Sequence, residues 1–470
     1  MRQKGVGVMG IPRGYKQNIA GRFGSNLIGI AAILLVPFFL IDILKDDSSA
    51  QEDCTITQVT DTVGGESEVW FLNSGGTLGG FDSASDVDGG NPDGSIEAYL
   101  VDTDTFVITQ LTDSVGLDSF PFDISAGDTL VALSSQADLT GDNPDGNREI
   151  FLFDRGTETF TQITDTAGGD NIVPALNGDG TLIAIDSTAD LTGGNADANR
   201  EIFLFDSDTT TFTQLTNTVG VNSLVPDITP DGATIGFHSN SDLTGSNPDV
   251  SLEVFLFDVV SMTFTQITDG DGLNSATAAL SSDGAIVGLN SDTDPTGGNP
   301  DNNREIFLFD TDTMLFTQVT DSTGETNSGP SISSDGTRLV FTSNADLTGD
   351  NPDGNEEVFL FDADTDITTQ ITDSVGGSFS TAVISGDGTR ILFTSASDIG
   401  GGNADGNIEV YFADCRVVVS DGNDSGGCAL AGEDSPRDAG VNAAILSLVL
   451  FAAVSGVLRK RKRSRRSHIS

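Results

Sequence analysis

The octapeptide NREIFLFD occupies Asn147–Asp154 and returns unchanged at Asn199–Asp206 and Asn303–Asp310. Its closing Asp has equivalents at Asp102, Asp154, Asp206, Asp258, Asp310, Asp362 and Asp414, each 52 residues from the next. The Glu five residues earlier recurs identically, at Glu97, Glu149, Glu201, Glu253, Glu305, Glu357 and Glu409. So does a Thr-Gln-apolar-Thr tetrad beginning at Thr57, Thr109, Thr161, Thr213, Thr265, Thr317 and Thr369. A fixed period held through seven copies marks an array of equivalent units.

One unit, residues 165–216, resolves into four short strands: NIVPALNGDG as a strand and tight Asp-Gly turn, then TLIAIDS, EIFLFD and FTQLT. The third is apolar at successive positions, as a strand buried on both faces must be. Four strands per unit, repeated, predict an all-β chain folded as a seven-bladed β-propeller. Frequent Phe (28) beside a single Trp, with Gly, Asp, Thr and Ser crowding the breaks, agrees with many turns and little helix. The tetrad at Thr57–Thr60 lacks the three strands before it, and the set ending at Asp414 lacks a following tetrad. The two fragments complete each other, so the N-terminal strand is expected to close the ring as the outer strand of the last blade.

Cys54 and Cys415 fall, by whole periods, at the places held by Glu158 and Arg155 in a continuous blade. Those places flank a turn of the third-to-fourth-strand hairpin, within disulfide reach. A Cys54–Cys415 bridge across the closure is therefore expected within a propeller spanning residues 54–415.

Charge divides the chain. Between residues 51 and 440 there are 68 acidic and 8 basic residues, a net of −60. Such a surface repels nucleic acid and anionic lipid. The ends differ. Residues 1–50 carry basic residues before the apolar run Leu27–Leu40 and then Ser48-Ser49-Ala50, reading as a signal peptide cleaved after Ala50 or as a retained signal anchor. Residues 441–458 include the apolar run Ala443–Leu458 and read as one transmembrane helix, although sixteen helical residues span only about 24 Å of a ~30 Å layer. The basic block of residues 459–470 then stays cytoplasmic. One hydrophobic helix at each terminus thus places the propeller on the extracytoplasmic side, tethered to the membrane.

The Asp-Gly turns (NGDGTLIAI, TPDGATIGF, SSDGTRLVF, SGDGTRILF), followed by Glu-x-Phe-Leu-Phe-Asp and Thr-Gln-apolar-Thr, resemble the TolB-type propeller repeat over about residues 55–415. The added N-terminal α/β domain of TolB proteins has no counterpart here, and no role in envelope energisation is carried over. The tail is similar to the tripartite C-terminal sorting signals of Gram-negative surface proteins, the MYXO-CTERM-like type built on Gly-Cys. GGCALA sits in the flexible linker 416–440, and the resemblance implies that Cys428 is a point of processing or lipid attachment at the cell surface or envelope of a Gram-negative bacterium.

Chemistry is less legible. Each unit carries Asn-(Pro or Ala)-Asp ahead of its Glu, and Asn143, Asp145, Asn147 and Glu149 offer oxygen at alternate positions, with Asp138 as a further donor. Asn351, Asp353, Asn355 and Glu357 repeat the set. Such spacing suits a hard cation such as Ca²⁺, while an Asx turn fixed by Pro and Gly explains the same string without metal and is preferred. No cofactor is otherwise implied. His238, ending the strand IGFHSN, reads as a polar strand-end residue ahead of a proton shuttle, and no triad or zinc cluster is visible. With near-identical units no residue pair stands out, so no catalytic residue is assigned and the chain is expected not to be an enzyme. The leading expectation is a non-catalytic binding or structural module for a protein, peptide or polysaccharide. The alternative is a propeller-type extracellular hydrolase or lyase acting on polysaccharide or peptide.

Overall fold

The computed structural model describes residues 52–417 apart from Asp271 and Ser378. The two hydrophobic terminal segments, the linker, Cys428 and the basic tail lie outside the described residues. Among the described residues no helix is long and apolar enough to cross a membrane.

Twenty-eight strands, β1 to β28, form seven antiparallel sheets of four strands. In the blade of residues 171–214 the order is β10 (Asn171–Leu176), β11 (Leu182–Ser187), β12 (Glu201–Asp206) and β13 (Thr211–Gln214). These are the four segments expected from the sequence. Each blade's first strand lies innermost: β2 (Ser67–Leu72), β6 (Ser119–Ile124), β10, β14 (Ser223–Ile228), β18 (Ser275–Leu280), β22 (Asn327–Ile332) and β26 (Phe379–Ile384). Each touches the next, and β26 touches β2, so the described strands form a complete ring of seven blades.

Core burial follows the repeat. Second and third strands alternate their apolar side chains into the spaces between neighbouring blades, which is why EIFLFD is buried along nearly its whole length. Aromatic pairs stack across those strands, among them Phe81 on Tyr99, Phe237 on Phe255 and Phe393 on Tyr411, with centroids 5.3 to 5.8 Å apart. The repeated Glu is buried too, and its carboxylate ties one blade to the next. Glu305 accepts the backbone N–H and hydroxyl of Ser322, at 2.8 and 2.7 Å, and the amide of Asn327 on the following inner strand at 2.9 Å. The repeated Thr-Gln pair has an equivalent task. Gln318 donates to the Thr320 carbonyl and accepts from Thr296, bracing the outer strand against the preceding loop.

The seventh sheet has the order β1 (Glu52–Gln58), β28 (Glu409–Val417), β27 (Arg390–Ser395), β26. Cys54 and Cys415 are direct register partners and are joined by a disulfide, with Cα atoms 4.0 Å apart. The sequence placed them across a turn. Because the chain is interrupted there, no turn forms and the two strands run on past the bridge as far as Glu52 opposite Val417. Glu409 repeats the interblade tie at this junction, accepting the N–H and hydroxyl of Thr62, both at 2.7 Å.

Two sets of bonds fix the inner ring. At its turn end, backbone N–H groups bond from blade to blade: Ala126 to Gly178, Gly178 to Pro230, Ser282 to Ser334, Ser334 to Gly386 and Gly386 to Ser74, all at 2.8 to 2.9 Å. At its waist, acceptors on alternate blades receive the N–H of the next inner strand, Leu176 giving to Asp123, Leu280 to Asp227 and Ile384 to Ser331. Burial pushes the Asp123 carboxyl up to about 7 and that of Asp227 up to about 6, against the pull of those N–H groups. Asp227→Ala leaves the Leu280 and Ile228 N–H groups without their acceptor. At ~1–3 kcal/mol for an unsatisfied buried group, about 3 kcal/mol of stability is expected to be lost near pH 4, read as a lower urea midpoint, and less at pH 7, where the raised carboxyl of the parent is ionised at a cost that Ala removes. An unchanged midpoint near pH 4 would mean that water replaces the carboxyl.

Candidate active site

The blades lose their equivalence on the innermost strands. Aligned by period, these read SEVWFL, SFPFDI, NIVPAL, SLVPDI, SATAAL, NSGPSI and FSTAVI. The physical reason is position: the third strand must fit two neighbouring sheets, whereas the first faces the central channel and is free to vary. A cavity of about 430 Å³ fills the channel waist, with Trp70, Phe122, Asp123, Val225, Asp227 and Ser331 in its wall. A larger groove of about 730 Å³ between the outer strands of the first two blades lacks a comparable constellation.

One cluster spans the inner strands of the last, first and second blades. Glu68 on β2 and Asp82 on β3 (Leu78–Ser83) are direct register partners, so both carboxyls rise from the same face of the sheet. The Trp70 indole N–H donates to Asp82 Oδ2 at 2.6 Å, and Thr381 donates to Glu68 Oε1 at 3.2 Å. Burial, assisted by the negative charges of Glu68 and Asp118 and opposed by the indole bond, pushes the Asp82 carboxyl up to about 8. Asp82 is therefore a neutral acid at pH 7. Trp70 packs on Phe122 (4.4 Å between centroids) and edge-on to Phe120 (6.2 Å), and the Arg148 guanidinium lies 4.6 Å above the Phe120 ring. Trp70, Phe120 and Phe122 are all only partly buried, forming an aromatic shelf beside the raised Asp82 carboxyl.

A second cluster lies on the third and fourth blades. Asp186 is fully buried and accepts the N–H groups of Val173 (2.9 Å) and Val225 (3.0 Å), with an ion pair to Arg200. Burial raises its carboxyl while Arg200 opposes the shift. His238 stands nearby, 9% exposed, with Nδ1 lacking a partner; burial, and then the charge of Arg200, lowers it to about 4. The sequence placed His238 as a lone strand-end residue, whereas the fold brings it within the field of an arginine on the neighbouring blade. Val225 and Thr277, both β-branched, hold φ of +49° and +62° on adjacent inner strands, where the next blade uses Gly329 at +62°. Backbone of that kind costs ~1–3 kcal/mol per residue and gathers where function demands it.

The oxygen donors read from the sequence are placed as follows. Asp138 Oδ1 accepts the N–H groups of Gly141 and Asn143, forming the Asx turn. Glu149 Oε1 accepts from Thr166 and from the Asn147 amide, and Oε2 from Asn171, so Glu149 is committed to the interblade tie. Glu357 does the same with Ser374 and Asn355. Asn143, Asp145, Asn147 and Asn351, Asp353, Asn355 line two equivalent loops on the side of the ring where the inner strands begin. The candidate residues that sequence reasoning missed are Glu68, Trp70, Asp82, Phe120, Phe122, Arg148 and Asp186. Their signal was present, because they stand in columns that depart from the period: the first strand, the penultimate position of the second strand, and the residue before the repeated Glu.

No protein-family model matches this chain, and no curated protein matches it. Solved structures do. An oligogalacturonate lyase from Vibrio parahaemolyticus superposes with a TM-score of 0.53 at 16% identity, over 77% of this chain and 97% of that one. An oligogalacturonate lyase in complex with manganese superposes at 0.52 and 17% identity, over 78% of this chain and 97% of that one. At such identities the likeness establishes the β-propeller fold. The expectation of a chain that is no enzyme is corrected accordingly: two of the propellers it matches are oligogalacturonate lyases, so the fold gives no ground for that expectation. Manganese does not carry over, because among the described residues no group of three or more His, Cys, Asp or Glu is placed to hold a metal. The one histidine near the channel stands beside an arginine.

Proposed function

We propose that the chain is an extracytoplasmic carbohydrate-cleaving enzyme that acts on an acidic oligo- or polysaccharide laid across the aromatic shelf. The observation that carries this reading is the Glu68–Asp82 pair: two register-partner carboxyls, one held neutral near pH 7, bonded to the single tryptophan. A carboxyl kept protonated by burial, with a second carboxyl beside it, is an arrangement that supports acid–base chemistry on sugars. Aromatic faces hold pyranose rings by their C–H surfaces, and Arg148 offers a cation on the rim of the same shelf. The printed names of the two matched structures support an acidic oligosaccharide as the substrate class.

In β-elimination, Glu68 takes the proton α to the substrate carboxylate, which Arg148 holds. The freed electron pair forms the carbon–carbon double bond, the glycosidic carbon–oxygen bond breaks, and the leaving oxygen takes the Asp82 proton. Solvent then returns Glu68 and Asp82 to their starting forms. Around this site, β1 completes the ring of a TolB-type propeller. The N-terminal segment exports it, and the C-terminal segment, with Cys428 as the sorting or attachment point, holds it at the cell envelope.

The test is incubation with oligogalacturonate, other uronate oligomers and neutral glycans, following both ultraviolet absorbance of unsaturated ends and release of reducing ends. Elimination yields both signals on uronates, and hydrolysis yields only the second. Trp70→Ala is expected to raise KM at least tenfold at a temperature where the variant, less stable for the lost packing and the lost bond to Asp82, is still folded. Absence of turnover on every glycan, or cleavage of peptides alone, would sink the reading.

A further inference from the structure

The loop between second and third strands repeats in all seven blades but occurs in two chemical versions. In the second blade, Asn143 Nδ2 donates to the carbonyls of Gln136 (3.3 Å) and Asn147 (3.0 Å). Asn147 Nδ2 donates to Glu149 Oε1 (2.8 Å) and to the Thr166 and Gly169 carbonyls (2.9 and 3.1 Å). Both amides are thus oriented by their N–H groups, and both Oδ1 atoms are buried with no donor. The same pair of orphaned oxygens recurs at Asn195/Asn199, Asn299/Asn303, Asn351/Asn355 and Asn403/Asn407. The first Asn of each pair is 1 to 3% exposed.

The first and fourth blades have Ser95 and Ser251 where the others have the second Asn. There the hydroxyl fills the gap. Ser251 Oγ lies 3.1 Å from Asn247 Oδ1, 3.0 Å from Asp249 Oδ1 and 2.7 Å from Glu253 Oε1, and neither Asn247 nor Asn91 is left with an orphaned oxygen. The serine loops show what that pocket is: a nest of oxygens that takes an electropositive group. The asparagine loops bring a further amide oxygen to it and spend their amide hydrogens on the Glu and on backbone carbonyls, giving none to the first Asn Oδ1.

We propose that each of the five asparagine loops binds one Ca²⁺ between its two Asn Oδ1 atoms. The Asp between them completes the anchor: Asp145, Asp197, Asp301, Asp353 or Asp405. In the serine loops the equivalent Asp reaches the hydroxyl at 3.0 Å, which sets it within range of the same spot. In the third blade Asp197 has Oδ2 engaged by the Gly220 N–H at 2.9 Å, leaving Oδ1 for the ion. All three ligands are oxygens, two neutral and one charged, with water to fill the remainder, a set that suits Ca²⁺ and gives weak, extracellular-type affinity of about 10⁻⁴ to 10⁻³ M. A buried unpaired carbonyl costs ~1–3 kcal/mol, and ten of them in one ring is a load that a bound ion removes. Groups of His, Cys, Asp and Glu alone would not reveal these sites, since each rests on two amides.

The experiment is calcium titration of the purified, chelator-stripped chain by calorimetry and thermal melting, compared with Asn147→Ser and Asn355→Ser. Each substitution installs the residue that two blades already carry and leaves the net charge unchanged, so diffuse attraction to the acidic surface cancels in the comparison. Five sites are expected in the parent and four in either variant, and in chelator each variant melts no lower than the parent, since its serine relieves two orphaned oxygens. At calcium tenfold above Kd, each site multiplies the folded-to-unfolded ratio about elevenfold. Equal stoichiometry in parent and both variants, or no calcium-dependent rise in melting temperature, overturns the proposal and leaves water as the occupant.

Discussion

Asp82→Asn is expected to lower turnover by about 10² to 10⁴, the usual contribution of a positioned proton donor, while making the fold more stable in alkali. The amide keeps the shape and can still accept the Trp70 N–H, but it has no proton to give to a leaving oxygen. The stability effect follows from linkage. The Asp82 carboxyl is raised from 3.8 to about 8 in the fold, chiefly by burial. Its contribution is fully present below pH 4 and is lost as pH rises through 8. Asn carries no such penalty, so the variant should match the parent near pH 4 and melt at a higher temperature by pH 9. Activity of the parent should fall above pH 8 as Asp82 ionises. If the variant keeps parental turnover, Asp82 is no proton donor; if its melting shows the same alkaline loss as the parent, the raised carboxyl belongs elsewhere.

Replacing both Cys54 and Cys415 by serine is expected to cost about 4 kcal/mol. The bridge closes a loop with a sequence separation of 361 residues, and the chain-entropy relation gives about 6 kcal/mol for that length, with native bridges falling at roughly 2–5. Thr62 on Glu409 and the register of β1 on β28 persist in the variant, so the last blade should still form but open more often. Hydrogen exchange should show β1 and β28 losing protection while β12 and β20 (Glu305–Asp310) keep theirs. Uniform loss across all blades would show instead that the ring unfolds as one body and that the clasp has no local role.

The parts of the fold that repeat were legible from the sequence because repetition averages out local ambiguity. EIFLFD alone could be strand or helix, but seven copies with turn residues at fixed offsets leave little choice. The disulfide was legible for the same reason, through the register of Cys54 and Cys415. The site was not, and the cause is the same property in reverse. Attention to the period discards the columns that do not repeat, and Glu68, Trp70, Asp82 and Phe122 all stand in such columns. Their pairing also depends on the bulge between Val69 and Phe71, whose place no propensity announces. The asparagine loops were legible as turns, whereas the orphaned oxygens depend on which way each amide faces and could not be read from residue type.

The band of backbone bonds at the turn end of the channel works as a mechanical hoop, with a flaw written into its chemistry. Pro230 accepts from Gly178 but has no N–H to pass the chain of bonds on to Ser282. The seam between the fourth and fifth blades thus carries its load through the Asp227 carboxyl at the waist. The band has a second break between the first and second blades, where Ser74 makes no such bond to Ala126. A hoop clasped in its last blade and broken at two seams flexes like a spring clip, so widening of the channel should be admitted at those two seams, the fourth-to-fifth braced by Asp227 and the first-to-second without a waist bond of that kind.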